Sequence, residues 1–151
     1  MAGLLQEACE IVTFFNNKYY QTGEKFNFFT ISNTETAEVA LCKVIASFLN
    51  PDSSHFQGNI FLDLFLELIQ EDKVQNDEHI SVYTEFVISE KRRIDIIIMS
   101  EKRFIPIEVK IHATDQNKQC SDYFEFSKNY GAKKVFYLTL DGHSPKDSSK
   151  S

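Results

Sequence analysis

Three ionisable residues interrupt segments of the chain that otherwise read as buried and extended. In the run 93–99, Asp95 is set among Ile94, Ile96, Ile97 and Ile98; in 106–111, Glu108 and Lys110 alternate with Ile107, Val109 and Ile111. Burying an unpaired charge is expensive, so acids inside apolar strands need a physical reason to be there. Successive side chains of a strand point to opposite faces. Ile94, Ile96 and Ile98 are therefore expected on one face with Ile107, Val109 and Ile111, and Asp95 on the other with Glu108 and Lys110.

The short segment Ser100, Glu101, Lys102 and Arg103 joins the two runs. A symmetric hairpin loop of two or four residues there pairs positions whose numbers add to 203, provided no bulge shifts the register. Asp95 and Glu108 satisfy that condition. Their Cβ atoms should lie about 4.5–5.5 Å apart, with Lys110 on the adjacent diagonal. Two opposed carboxylates repel, and one is driven toward protonation unless a cation sits between them. A divalent cation removes the conflict. Mg²⁺ typically takes one or two carboxylates and leaves water or phosphate oxygens to complete its shell.

The elements that must hold these groups can be read from periodicity. Residues 4–19 place Leu4, Leu5, Ala8, Ile11, Val12 and Phe15 at helical spacing, with Glu7 and Glu10 outside. Ser32 followed by Glu35 has the spacing of a capping box for a helix over 34–49, whose inner face is Leu41, Val44, Ile45 and Phe48. A third helix, over 59–72, is apolar on almost every side and should lie deep in the fold. Residues 80–88, 93–99 and 104–111 are Ile- and Val-rich strands between charged turns. A helix over 115–130 follows, with Asp115 as N-cap and Gly131 as stop, and 134–140 is a last strand. The order predicts an α/β domain whose mixed sheet pairs an antiparallel meander with a strand added after a helical crossover.

Length and composition fit one soluble globular domain. No membrane span is visible, and acidic Glu7 and Glu10 stand where an export signal needs positive charge. Three widely spaced cysteines without a Cys-x-x-Cys pair fit reduced thiols in a cytoplasmic setting. The net charge is −6, yet residues 91–134 carry ten Lys and Arg against six Asp and Glu. Lys91, Arg92, Arg93 and Lys118 are candidate phosphate contacts; solvated strand ends are the plainer explanation of any one cluster.

Asp95, followed after a short turn by Glu108, Val109 and Lys110, resembles the (D)…(D/E)-x-K signature of the PD-(D/E)XK nuclease superfamily. The segment from Glu38 to Pro51, with His55, Gly58, Phe61 and Leu62, is similar to the N-terminal helix of a bacterial branch in which a Glu points into the active site. The segment from Asp115 to Tyr123 looks like that branch's Gln-Leu-x-x-Tyr helix and puts Gln119 at the site's edge. Cys42 stands where Ser is common, Cys120 where Leu is, and Ile94 where some members have Pro. The branch tends to continue past the last strand, so the chain reads as a minimal member or a fragment.

The resemblance implies a restriction-endonuclease-like core with a mixed four-stranded sheet flanked by helices. Domain bounds follow: one domain over 1–143, made of a helical extension (1–33) and a catalytic core (34–143), then a disordered tail over 144–151. It also implies a Mg²⁺- or Mn²⁺-dependent phosphodiesterase acting on nucleic acid, DNA foremost. Asp95, Glu108, the Val109 carbonyl and Glu38 would serve the metal; Glu38, Asp95, Glu108, Lys110 and Gln119 would form the catalytic set. An inactive nuclease-like module that binds nucleic acid or protein, and an α/β domain with a merely superficial charged row, are the alternatives. Oligomeric state stays open, a dimer included.

Overall fold

The computed structural model describes residues 2–23, 27–34 and 37–150. The chain divides into two compact units, Met1–Glu35 and Thr36–Ser151. The first holds helix α1 (Ala2–Thr22) and the single turn α2 (Phe28–Ile31). The expected apolar stripe of α1 is present, but Leu4, Leu5, Ile11, Val12 and Phe15 are all exposed. The capping-box expectation is overturned: Ser32 is the C-cap of α2, where its hydroxyl bonds to the Phe28 carbonyl. Glu35 lies outside the described residues.

The second unit runs α3 (Glu38–Leu49), α4 (Ile60–Leu68), β1 (Ser81–Ser89), β2 (Arg92–Met99), β3 (Phe104–Lys110), α5 (Gln119–Lys128), β4 (Phe136–Thr139) and α6 (Asp147–Lys150). Its sheet has the order β1-β2-β3-β4, with β1, β2 and β3 antiparallel and β4 parallel to β3. This is the mixed α/β architecture expected from the sequence. The parallel pairing follows from α5, which carries the chain back across the sheet between β3 and β4.

Helices cover both faces. Cys42, Ala46 and Leu49 of α3 and Leu62 and Leu66 of α4 pack on Ile96, Ile98, Ile105, Ile107 and Val109. On the opposite face Tyr123 of α5 packs with Ile94, Ile97, Phe104 and Ala132. Ile94 thus departs from strict alternation, which had placed it beside Ile96. β1 is irregular at the same level. Glu85, between the pairs Thr84–Ile96 and Phe86–Ile94, has a left-handed backbone, φ 53°. Past that point Phe86 and Ile94 turn to the α5 side together.

Three further expectations change. Helix α4 is not buried all round: Leu62 and Leu66 are inaccessible, whereas Ile60, Leu64 and Leu68 are exposed. Its composition is apolar, but only one face meets the sheet. Asp115 does not cap α5, which begins at Gln119 with Lys118 at the N-cap in a left-handed conformation, φ 58°. Asp115 instead accepts from the Tyr137 hydroxyl at 2.6 Å and the Lys146 amide at 2.8 Å. The tail is ordered to Lys150: Ser149 is buried and bonds Cys120. Gly131 does end the α5 region with φ 83°, a conformation that costs Gly nothing.

All three cysteines are free. Among the described residues no helix is long and apolar enough to cross a membrane. The two faces of α4 should separate in a denaturation experiment. Leu62→Ala is expected to cost about 2–5 kcal/mol of unfolding free energy, and Leu64→Ala to stay within about 0.5 kcal/mol.

Candidate active site

The β2–β3 hairpin sets the geometry. Its ladder pairs Met99 with Phe104, Ile98 with Ile105, Ile97 with Pro106 and Ile96 with Ile107, the register read from the turn length. Ser100 N–H donates to the Arg103 carbonyl at 2.9 Å. Bonded and non-bonded pairs alternate along an antiparallel ladder, so position 95 faces position 108 at a non-bonded pair, where side chains approach most closely. Here the backbone ladder ends. The Val109 N–H donates at 2.7 Å to Asp95 Oδ2 instead of to a carbonyl of β2.

The two carboxyls meet within hydrogen-bonding reach. Glu108 is 1% exposed. Burial, and then the neighbouring Asp95 carboxyl, push its pKa up to about 8. Burial raises Asp95 as well, against the Val109 N–H and the nearby Lys110 charge. Lys110 Nζ lies 2.5 Å from Glu108 Oε1. Burial disfavours its charge, but Glu108, Asp95 and Glu38 outweigh that and raise its pKa. Glu108 Oε1 also accepts from Gln119 Nε2 at 2.7 Å. Glu108 Oε2 is buried and has no donor.

Helix α5 supplies the roof. The Gln119 amide nitrogen also donates to the Tyr123 hydroxyl at 3.0 Å, and that hydroxyl donates to the Arg93 carbonyl. Burial raises the Tyr123 pKa, so it stays a neutral donor. Gln116 N–H donates to Gln119 Oε1 at 3.2 Å, which fixes which end of the amide faces Glu108.

Glu38 is the first residue of α3. Its Oε1 accepts from the backbone N–H groups of Ile111, His112 and Ala113 at 2.8, 3.3 and 3.2 Å. Burial alone would raise its pKa, but these three donors and Lys110 hold it below the usual carboxylate value. Among the described residues, no three His, Cys, Asp or Glu side chains converge as a metal cage. Asp95 and Glu108 converge as two.

The basic candidates divide. Lys91 and Arg93 are exposed and line an open cleft of about 350 Å³ with Asp95, Glu108, Lys110 and Gln119. Arg93 also lies 3.7 Å from Glu85. Lys118 is exposed at the N-cap of α5 and does not line that cleft. Arg92 is turned inward: Nε donates to Asp122 at 2.7 Å, and the two terminal nitrogens to Gln116 Oε1 and the Asn117 carbonyl at 2.5 Å each. It is withdrawn from the set of phosphate contacts. Another hollow, about 360 Å³, contains Arg103 paired with Glu78 at 2.6 Å and Lys134 paired with Glu71 at 3.3 Å. Its charges answer one another and leave no orphaned acid like Glu108 Oε2.

Sequence reasoning missed Glu85 and the inward role of Arg92. Glu85 was accessible in principle, because the β1–β2 turn sets it across from Asp95. Arg92 was not, since its partners lie 24 to 30 residues further along the chain.

A two-carboxylate site suits a hard divalent ion that keeps most of its shell for water and substrate oxygens. Glu108 Oε2, buried and without a donor, is the atom such an ion would satisfy. Val109 adds a third oxygen of the right kind. Its N–H faces the β2 edge, and in an extended strand the carbonyl of the same residue faces that edge too.

A family model described as the PD-(D/E)XK nuclease superfamily matches residues 26–151. Neither the curated proteins nor the solved structures return a match. The match takes in the whole sheet, α3, α5 and the tail. The chain belongs to the PD-(D/E)XK nuclease superfamily.

Proposed function

We propose that the protein is an active Mg²⁺- or Mn²⁺-dependent nuclease that hydrolyses phosphodiester bonds, with DNA as its substrate. The observation that carries this reading is the facing pair Asp95 and Glu108, in which an ionised Glu108 has its buried Oε2 without a donor. Asp95, Glu108 and the Val109 carbonyl would hold the cation. When bound, it supplies Lewis-acid polarisation of the phosphate and acidifies water at the site.

Each remaining group has a task set by its position. Lys110 carries its charge beside the carboxylate pair, where it stabilises negative charge developing on the phosphate and orients the attacking water. Gln119 holds Glu108 Oε1 and keeps the carboxylate aimed at the cation. Glu38, its Oε1 committed to three backbone N–H groups, fixes the chain just after Lys110. Lys91 and Arg93 make phosphate contacts at the cleft's edge, and Lys118 at the N-cap of α5.

A second reading, an inert module that only binds, draws on the Lys110–Glu108 ion pair, which neutralises part of the conflict without a metal. The buried carboxyl pair weighs against it: Glu108 can ionise only by leaving Oε2 buried without a donor beside Asp95, a cost that an inert site has no reason to keep.

Plasmid and single-stranded DNA incubated with Mn²⁺ or Mg²⁺ should be cut, and excess EDTA should stop the cutting. Lys110→Ala should slow it about 10²–10⁴-fold; equal cutting by the two proteins would exclude the assignment of Lys110.

A second expectation concerns stability in EDTA. Unfolded, Glu108 loses its proton near 4.5; folded, near 8. Between those values unfolding releases a proton, so stability should fall as pH rises, by at most about 1.4 kcal/mol per pH unit, and level off above pH 8. Glu108→Gln should flatten the fall in urea denaturation across that window. An unchanged slope would show that Glu108 is not the group holding the proton.

A further inference from the structure

Of three consecutive basic residues, the middle one behaves differently. Lys91 and Arg93 are exposed on the cleft, whereas the Arg92 side chain is only 17% exposed. Its guanidinium uses all three nitrogens. Nε bonds Asp122 in the first turn of α5, Nη1 bonds the Gln116 side chain, and Nη2 bonds the Asn117 carbonyl.

The segment it grips lacks a device of its own. The N-cap of α5 is Lys118, in a left-handed conformation and without a side-chain cap bond. Such a start is unfavourable for a residue with a Cβ and persists only where the surroundings fix it. Arg92 fixes it from β2, and the Ser148 carbonyl, accepting from Lys118 N–H at 2.7 Å, fixes it from the tail.

What hangs on this segment is the orientation of one amide. Gln119 Oε1 accepts from the Gln116 N–H, and that leaves Nε2 to face Glu108 Oε1. Were Gln116 to slip, the amide could turn and bring its oxygen against a buried carboxylate. Arg92 bonds the Gln116 side chain and the Asn117 backbone, and so holds the anchor on the oxygen side of the amide, the Tyr123 hydroxyl being the anchor on the nitrogen side.

We propose that Arg92 is a positioning residue: its fork holds residues 116–118 so that Gln119 presents its N–H₂ group to Glu108, and it makes no contact with substrate phosphate. The proposal deepens the nuclease reading and rests on it. A lysine keeps the charge but offers one compact ammonium in place of a planar fork, so Arg92→Lys separates position from charge.

The test combines Arg92→Lys with Gln119→Ala in a double-mutant cycle. Cleavage kcat, KM, and the salt dependence of DNA affinity in EDTA are measured for each folded protein, with folding checked by circular dichroism. Arg92→Lys should lower kcat about 10- to 100-fold, leave KM and the salt slope unchanged, and cost nothing more once Gln119 is Ala. Arg92→Ala should also leave the slope unchanged, whereas Arg93→Ala should reduce it by about one. Either a flatter slope in Arg92→Ala or an equal kcat loss in the Gln119→Ala background overturns the proposal.

A readout without catalysis keeps this test separate from the nuclease reading. In ¹⁵N-labelled metal-free protein, the Gln119 side-chain amide should give a dispersed, slowly exchanging proton pair that collapses toward solvent-exposed shifts in Arg92→Lys. If the wild-type protein cuts no DNA, the nuclease reading falls, and the Gln119 resonance still decides the role of Arg92. An unmoved resonance in folded Arg92→Lys excludes it.

Discussion

The organising constraint is the meeting of two acidic side chains, one buried and one half-buried, at the floor of a cleft. Asp95 and Glu108 occupy facing, non-bonded positions of adjacent strands, and the hairpin leaves them no room to part. Low dielectric strengthens their repulsion, and burial independently penalises each charge. The metal-free protein meets this in three ways at once: Glu108 retains a proton well above the usual range, Lys110 lies against Oε1, and the Val109 N–H takes the place of a ladder bond to hold Asp95. Only the first of these gives Glu108 Oε2 a partner, through the proton shared with Asp95; once that proton leaves, Oε2 is buried with no donor.

The surrounding structure serves to prevent relaxation. Ile96, Ile98, Ile107 and Val109 are locked beneath α3 and α4, so β2 and β3 cannot splay further. Glu38 ties the N-terminus of α3 to the chain leaving β3. On the other face, Arg92 and the tail hold the start of α5, and Gln119 hangs from it. Cys42, fully buried beneath the acids, has a thiol pushed up to about 12, first by burial and then by the Asp95 and Glu85 charges. It is a packing residue there, not a nucleophile.

Much of this was legible in the sequence because it depends on local rules. Ile- and Val-rich runs gave the strands, a four-residue turn gave the register, and alternation placed Glu108 with Lys110. The failures share a different cause. Ile94 lies on the α5 side with Phe86, its partner in β1, next to the left-handed Glu85, and no spacing within β2 carries that information. Leu64 looked buried because composition reports how apolar a helix is, not how many surfaces await it. Arg92 looked like a phosphate contact because a triplet of basic residues reveals charge and not partners. The tail looked disordered from its Ser, Lys and Asp content, yet Asp115 and Cys120 supply the bonds that order it.

Calorimetry of Mn²⁺ binding near pH 7, repeated in buffers of different ionisation enthalpy, counts the protons that the carboxyl pair gives up to an ion. If the buried pair holds a proton that a shared cation displaces, the wild-type protein should release close to one proton per ion bound, and Glu108→Gln should release none. Tight binding by the wild-type protein with no proton released would mean that the ion lies elsewhere, and the account of Asp95 and Glu108 would fail.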